Sequence, residues 1–261
     1  MKSARRSVLP RPSRAMLAWF RLYLRWYVPR HFRAVRLAHA ARFEQAAEEE
    51  NGALVVALNH PSWWDPLTCM IVAHALLPEH DHYGPMDAVE AERYSVLRRM
   101  GLFPVEQHSP RGAAQFLHAS QQIFSRPRSV LWMTPQGAFT DVRPRPLMFR
   151  AGLSVLAARL PRVTVLPLAV EYTFWNERLP EVLVNCGAPE IFPATDESRA
   201  VESVNARLAG ALTAASDELM QMSAARDAAG FETILEGGRG MGSVYSLWQS
   251  LAHGRGRNRQ P

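Results

Sequence analysis

A chain of 261 residues, 48% of them apolar, is long enough for one sizeable core, and its composition excludes a disordered or multi-span membrane protein. The formal charge of +6 is unevenly placed: eleven Lys and Arg precede the first acidic residue, Glu44, leaving 19 basic against 24 acidic residues beyond it. Cys69 and Cys186 are the only cysteines, which argues against a disulfide framework or a thiolate metal site and for a reducing compartment.

Residues 1–13, with Pro10 and Pro12 among Arg and Ser, predict a disordered basic lead. At helical spacing Arg14, Arg21 and Arg25 then form one stripe, and Met16, Trp19, Phe20, Tyr23, Leu24, Trp26 and Tyr27 occupy the opposite arc, an amphipathic pattern. Arg21 and Arg25 interrupt residues 16–28 well short of the roughly 20 apolar residues of a spanning helix. No small-residue cleavage site follows, so a signal peptide is not expected. Pro29 is expected to end or kink this helix, with a second basic helix over 30–42. The aromatic face serves either adsorption to a bilayer or packing on the core.

From residue 53 apolar runs of strand length alternate with helix-like stretches, which predicts a single α/β domain with a mixed, mostly parallel sheet flanked by helices. Strands are expected at 53–58, 83–86, 102–106, 130–133, 163–172 and 182–186. Helices are expected at 67–77, 90–99, 112–124, 152–160 and 197–222. The expected organisation is a basic membrane-associating segment 1–42, a catalytic domain 43–225 and a loose extension 226–261 around one apolar stretch, 244–251.

The chemistry concentrates in Asn59-His60-Pro61-Ser62-Trp63-Trp64-Asp65-Pro66. On a continuous helix a spacing of five would put His60 and Asp65 about 140° apart. In a strand-to-helix turn the two side chains can converge, and a carboxylate on one imidazole nitrogen leaves the other free to take a proton. That is the base and orienter of a triad without a protein nucleophile, so a substrate hydroxyl would attack. Asp65 before Pro66 equally fits a helix N-cap. His74 reads as a packing residue, and His80-Asp81-His82 is a weak metal signal, so no metal is expected.

This stretch resembles the first motif, Asn-His-x-Ser-x-x-Asp, of the glycerolipid acyltransferases, the family that includes lysophosphatidic acid acyltransferases. Gly101-Leu102-Phe103-Pro104-Val105-Glu106-Gln107 is similar to its second motif, Thr134-Pro135-Gln136-Gly137-Ala138-Phe139-Thr140 to its third, and Val165-Leu166-Pro167-Leu168-Ala169-Val170 to its fourth. Met148-Phe149-Arg150-Ala151-Gly152 resembles the basic stretch between the last two. The likeness covers about residues 51–175. It implies His60 and Asp65 as the catalytic pair, and Asn59, Ser62, Gly101, Phe103, Pro104, Gln107, Pro135, Gln136, Gly137 and Arg150 as substrate-binding residues. It also implies a role in glycerolipid or phospholipid synthesis, with acyl-CoA or acyl-carrier protein as donor, a lipid hydroxyl as acceptor and no resident cofactor. The basic aromatic N-terminus and the cysteine usage predict a peripheral place on the cytoplasmic face of an anionic membrane.

The chain departs from that pattern. Phosphate-accepting relatives typically close the second motif with Arg and carry Glu-Gly-Thr-Arg in the third, where Gln107 and Gln136-Gly137-Ala138-Phe139 stand here. Either Arg111, Arg143, Arg145 or Arg150 rebuilds a phosphate site, or the acceptor is less anionic: a glycolipid, a carotenoid glycoside or an amino-acid-containing lysolipid. Tyr172, Phe174, Trp175 and Glu177 are candidates to line an acyl or sugar site, and Trp63 and Trp64 to flank the His. Two alternatives from other classes are a nucleic-acid-binding module using the basic N-terminus and a lipid-binding protein of the same fold without transfer activity. The acidic body and the ordered motifs weigh against nucleic acid. A serine hydrolase lacks its Gly-x-Ser-x-Gly elbow.

Overall fold

The computed structural model describes residues 9, 11–48, 53–193 and 200–237. The expected lead over residues 1–8, the apolar stretch 244–251 and the basic end of the chain lie outside the described residues. Among the described residues nine strands form one mixed sheet: β1 (Ala34–Ala38), β2 (Ala53–Leu58), β3 (Asp81–Asp87), β4 (Leu102–Val105), β5 (Ser129–Met133), β6 (Val163–Thr173), β7 (Glu181–Cys186), β8 (Glu190–Phe192) and β9 (Glu232–Glu236). Their order is β4-β3-β5-β2-β6-β7-β1-β9, and β8 pairs with the start of β6. The five strands from β4 to β6 run parallel, whereas β7 is antiparallel to β6.

Eight α-helices accompany the sheet among the described residues: α1 (Arg14–His31), α2 (Ala40–Glu48), α3 (Asp65–Leu76), α4 (Ala88–Arg93), α5 (Ser95–Arg98), α6 (Pro110–Phe124), α7 (Gly152–Arg159) and α8 (Val201–Ala225). Strand parity decides which of them each side chain meets. Leu54, Val56 and Leu58 of β2, with Leu166, Leu168 and Val170 of β6, pack with Leu24, Phe43 and Val72 of α1, α2 and α3. Val55, Ala57 and Val165 face the other way, onto Phe116, Ile123, Leu153 and Leu208 of α6, α7 and α8. Because β2 and β5 are buried on both faces, β2 and residues 130–133 of β5 read as unbroken apolar runs. The expected α/β class with its mostly parallel sheet is therefore the observed one.

Three expectations need correction. The expected helix over 30–42 is replaced by β1, a left-handed turn at His39 and then α2. Ala, Arg and Leu favour helix locally, but residues 34–38 fill the gap between β7 and β9, and pairing there outweighs propensity. Helix α1 runs two residues past Pro29, because its last carbonyls find partners: Arg30 donates to Trp26 O, His31 Nδ1 lies 2.9 Å from Tyr27 O, and Phe32 N–H donates to Val28 O. Finally, residues 232–236 of the expected loose extension form β9, so the divisions at 42 and 225 both cut one sheet. The lead itself is tied down at its end, where Leu9 N–H donates to Gln122 and Ser13 N–H to Arg99 O.

Candidate active site

Parallel strands send their following loops to one edge of a sheet, and that edge is where sites in α/β folds form. The loops after β2, β4 and β5, and the end of β6, meet there. Asn59 leaves β2 with its side-chain amide spent on β6: Nδ2 donates to Val170 O at 2.9 Å and Oδ1 accepts from Val170 N–H at 2.7 Å. It joins the first motif to the fourth as a brace, one bond at each amide atom.

The turn from His60 to Asp65 folds on itself. Asp65 N–H donates to Ser62 O at 3.2 Å, Trp64 N–H to Ser62 Oγ at 3.2 Å, and Ser62 N–H to Asp65 Oδ2 at 3.1 Å. Helix α3 starts at Asp65 with Pro66 in its first turn, and the Asp65 carboxylate points back into the loop. The N-cap alternative is therefore not the one adopted. His60 Nδ1 lies 2.6 Å from Asp65 Oδ2, with Asp65 only 1% exposed. A carboxylate only accepts, so Nδ1 carries the hydrogen and Nε2 keeps a free lone pair. The second carboxylate oxygen accepts from the Tyr172 hydroxyl at 2.8 Å, and Tyr172 in turn lies 2.9 Å from Thr68 Oγ1.

Asp65 shapes the titration of its neighbours. Burial first, then the Asp65 charge, pushes up both the Cys69 thiol and the Tyr172 phenol. Both stay protonated, so Tyr172 remains a donor to Oδ1 while His60 and Ser62 serve Oδ2.

The third-motif loop clasps His60 from the other side. His60 N–H donates to Gln136 Oε1 at 3.0 Å, Thr140 N–H donates to His60 O at 2.9 Å, and the Phe139 ring lies 4.3 Å from the imidazole. The glutamine oxygen is thus already used, and a glutamate would offer the same oxygen. Gln136 is engaged in holding the catalytic turn. Pro135 O accepts from Arg150 N–H at 2.8 Å, and the Arg150 side chain lies so close over Gly137 that a Cβ there would come within 2.6 Å of its Cδ and Nε. Gly137 has a φ of 68°, a conformation suited to glycine. The same guanidinium lies 3.4 Å from His108, next to Gln107.

The structure therefore brings His60, Ser62, Asp65, Pro135, Gln136, Gly137 and Arg150 together, with Gln107 exposed at the same edge. It does not bring Gly101 or Phe103 there. Gly101, at φ 104°, sits at the opposite end of β4 against His82 O, and Phe103 is core; both serve the fold. Pro104 is exposed on β4. Of the other arginines, Arg145 is paired with Asp217 on α8 at 2.6 Å and Arg143 with Asp141. Trp64 packs on Phe32 and Tyr27, whereas Trp63 is 67% exposed. Trp175 donates to Ser223 O and packs on Phe231.

His82 uses both ring nitrogens, on Trp132 and Leu77 O. Among the described residues no group of three His, Cys, Asp or Glu side chains is arranged to hold a metal.

Sequence reading missed the direct bond of Tyr172 to Asp65. A signal existed: Tyr172 shares strand parity with Leu168 and Val170, which face α3, and Thr68 is one turn beyond Asp65 on that helix. The family model described as Acyltransferase, the 1-acylglycerol-3-phosphate acyltransferase-type domain, matches residues 39–171, just over half of the chain. No curated protein matches the chain.

Proposed function

The chain belongs to the acyltransferase family, and from that premise we propose that it moves a fatty acyl group from acyl-CoA or acyl-carrier protein to the hydroxyl of a lipid at a membrane surface. The reading is carried by the 2.6 Å contact between His60 Nδ1 and the buried Asp65 carboxylate. His60 Nε2 takes the proton of the acceptor hydroxyl as its oxygen attacks the thioester carbonyl. The thiolate then leaves and recovers that proton from the imidazolium, giving an ester and a free thiol. His60→Ala is expected to lower kcat by about 10²- to 10⁴-fold in a protein that still folds; full activity in that folded variant would sink the mechanism.

For the acceptor we favour a lipid with an uncharged or zwitterionic head. In support, Phe139 stands at the Arg position of the third motif and lays an aromatic face on His60, where a guanidinium would otherwise bind phosphate. The Arg150 guanidinium against Gly137 favours a phosphate-bearing acceptor instead. Measuring kcat/KM for lysophosphatidic acid and for a neutral-headed lipid in one detergent decides between them, and Gln107→Arg should raise the first about ten- to a hundredfold if phosphate recognition has been abandoned.

The membrane partner is supported by where apolar side chains are left exposed. Trp63, Phe139, Met148 and Phe174, all on loops at the catalytic edge, and Trp19, Leu22 and Trp26 on α1 are each more than half exposed, with Arg30 stacked on Trp26. Aromatic and cationic groups together suit a lipid–water boundary. No helix of the described residues is long and apolar enough to cross a membrane, so we infer peripheral attachment. Free Cys69 and Cys186 fit its cytoplasmic face.

A further inference from the structure

We propose that Tyr172 is a positioning residue for acyl transfer, its hydroxyl fixing Asp65 so that the other carboxylate oxygen stays on His60 Nδ1. The inference rests on His60 acting as base. Tyr172 is the last but one residue of β6, and its hydroxyl meets Asp65 Oδ1 at 2.8 Å and Thr68 Oγ1 at 2.9 Å. One phenolic hydrogen cannot serve two acceptors. It goes to the carboxylate, the stronger acceptor, and Thr68 must then donate to the phenol oxygen. The relay runs Thr68 to Tyr172 to Asp65 to His60, crossing from α3 to β6 and back to the catalytic turn.

Rotation of the Asp65 carboxylate is thereby stopped from both sides. Ser62 N–H and His60 Nδ1–H hold Oδ2 from the loop, and Tyr172 holds Oδ1 from the sheet. Tyr172 is itself clamped by Phe32, whose ring lies 6.0 Å away. Cys69 from α3 and Tyr172 from β6 both feel the Asp65 charge and are held protonated.

Removing this donor has a directional consequence. Oδ1 loses a partner, so the carboxylate's charge is less neutralised and it holds the imidazolium of His60 more tightly. The neutral base then forms only at higher pH. A hydroxyl that merely tied β6 to α3 would affect stability and leave the pH profile where it was.

The experiment compares wild type, Tyr172→Phe, His60→Ala and the double variant. Tyr172→Phe is expected to lower kcat about tenfold with little change in donor KM, to move the acid limb of kcat/KM to higher pH, and to shift the downfield Nδ1–H proton resonance identified by its loss in His60→Ala. In the His60→Ala background the second substitution is expected to cost nothing further. Wild-type kcat, pH profile and resonance in Tyr172→Phe would overturn the inference. Wild-type turnover by His60→Ala would overturn the general-base reading instead, while the resonance would still report whether Tyr172 sets the His60–Asp65 bond. Should Tyr172→Phe fail to fold, Thr68→Val removes the donor to Tyr172 without touching β6, and is expected to move the acid limb and the resonance in the same direction by less; no movement would overturn the inference.

Discussion

His60 is held by its backbone as firmly as by its ring, since Gln136 accepts from its N–H and its carbonyl accepts from Thr140 N–H. Gln136→Leu strands that N–H, at a cost of about 1 to 3 kcal/mol, and is expected to lower both melting temperature and kcat. Gln136→Glu keeps an oxygen in place and should stay close to wild type in both, measured on the same preparations. A different titration contributes to acid stability. His82 accepts from Trp132 Nε1 at 3.0 Å through Nδ1 and donates from Nε2 to Leu77 O, and burial pulls its pKa down to about 4. Since the folded value lies below the unfolded one, the unfolded chain binds the extra proton as pH falls from about 6.5 to 4. Stability is complete above that window and falls by on the order of 3 kcal/mol across it. Urea midpoints at pH 7 and pH 4.5 should differ in wild type, and the difference should shrink in His82→Gln.

Helix α1 has two apolar sides with different tasks. Leu24 and Val28 are buried against the sheet's α3 side, whereas Trp19, Leu22 and Trp26 recur at helical spacing on the solvent side. Both alternatives posed by its composition are thus compatible: one face packs and the other is free to adsorb. Replacing Trp19, Leu22 and Trp26 together by Ser is expected to weaken sedimentation with anionic vesicles several-fold, while the melting temperature moves little. Leu24→Ala should do the reverse, destabilising by about 2 to 5 kcal/mol without abolishing adsorption. Equal vesicle binding by the triple-Ser protein and wild type would mean that α1 is not the anchor.

At the scale of the whole molecule, residues distant in sequence complete one sheet. β1 lies between β7 and β9, and Arg36 reaches from it to the buried Glu181 at 3.0 Å and to Thr233 at 2.9 Å. A chain beginning at residue 43 loses α1 and β1 and leaves β7 with an open edge. Its thermal unfolding, followed by circular dichroism, is expected to lose cooperativity, which makes surface substitution and not truncation the sound test of membrane binding. The sequence by itself determined the α/β class, the six contiguous strands from the β4 edge to β7, and the turn that joins His60 to Asp65. Those features rest on local information: apolar runs of strand length, turn prolines and a five-residue spacing. Only the tertiary structure decided that residues 34–38 are strand, that 232–236 close the sheet, and which polar groups are already used. Edge pairing lends a short polar segment its partners, and hydrogen bonds such as Asn59 to Val170, Gln136 to His60 and Tyr172 to Asp65 join residues 76 to 111 positions apart. No local pattern encodes them, because each depends on two loops or strands arriving at the same edge.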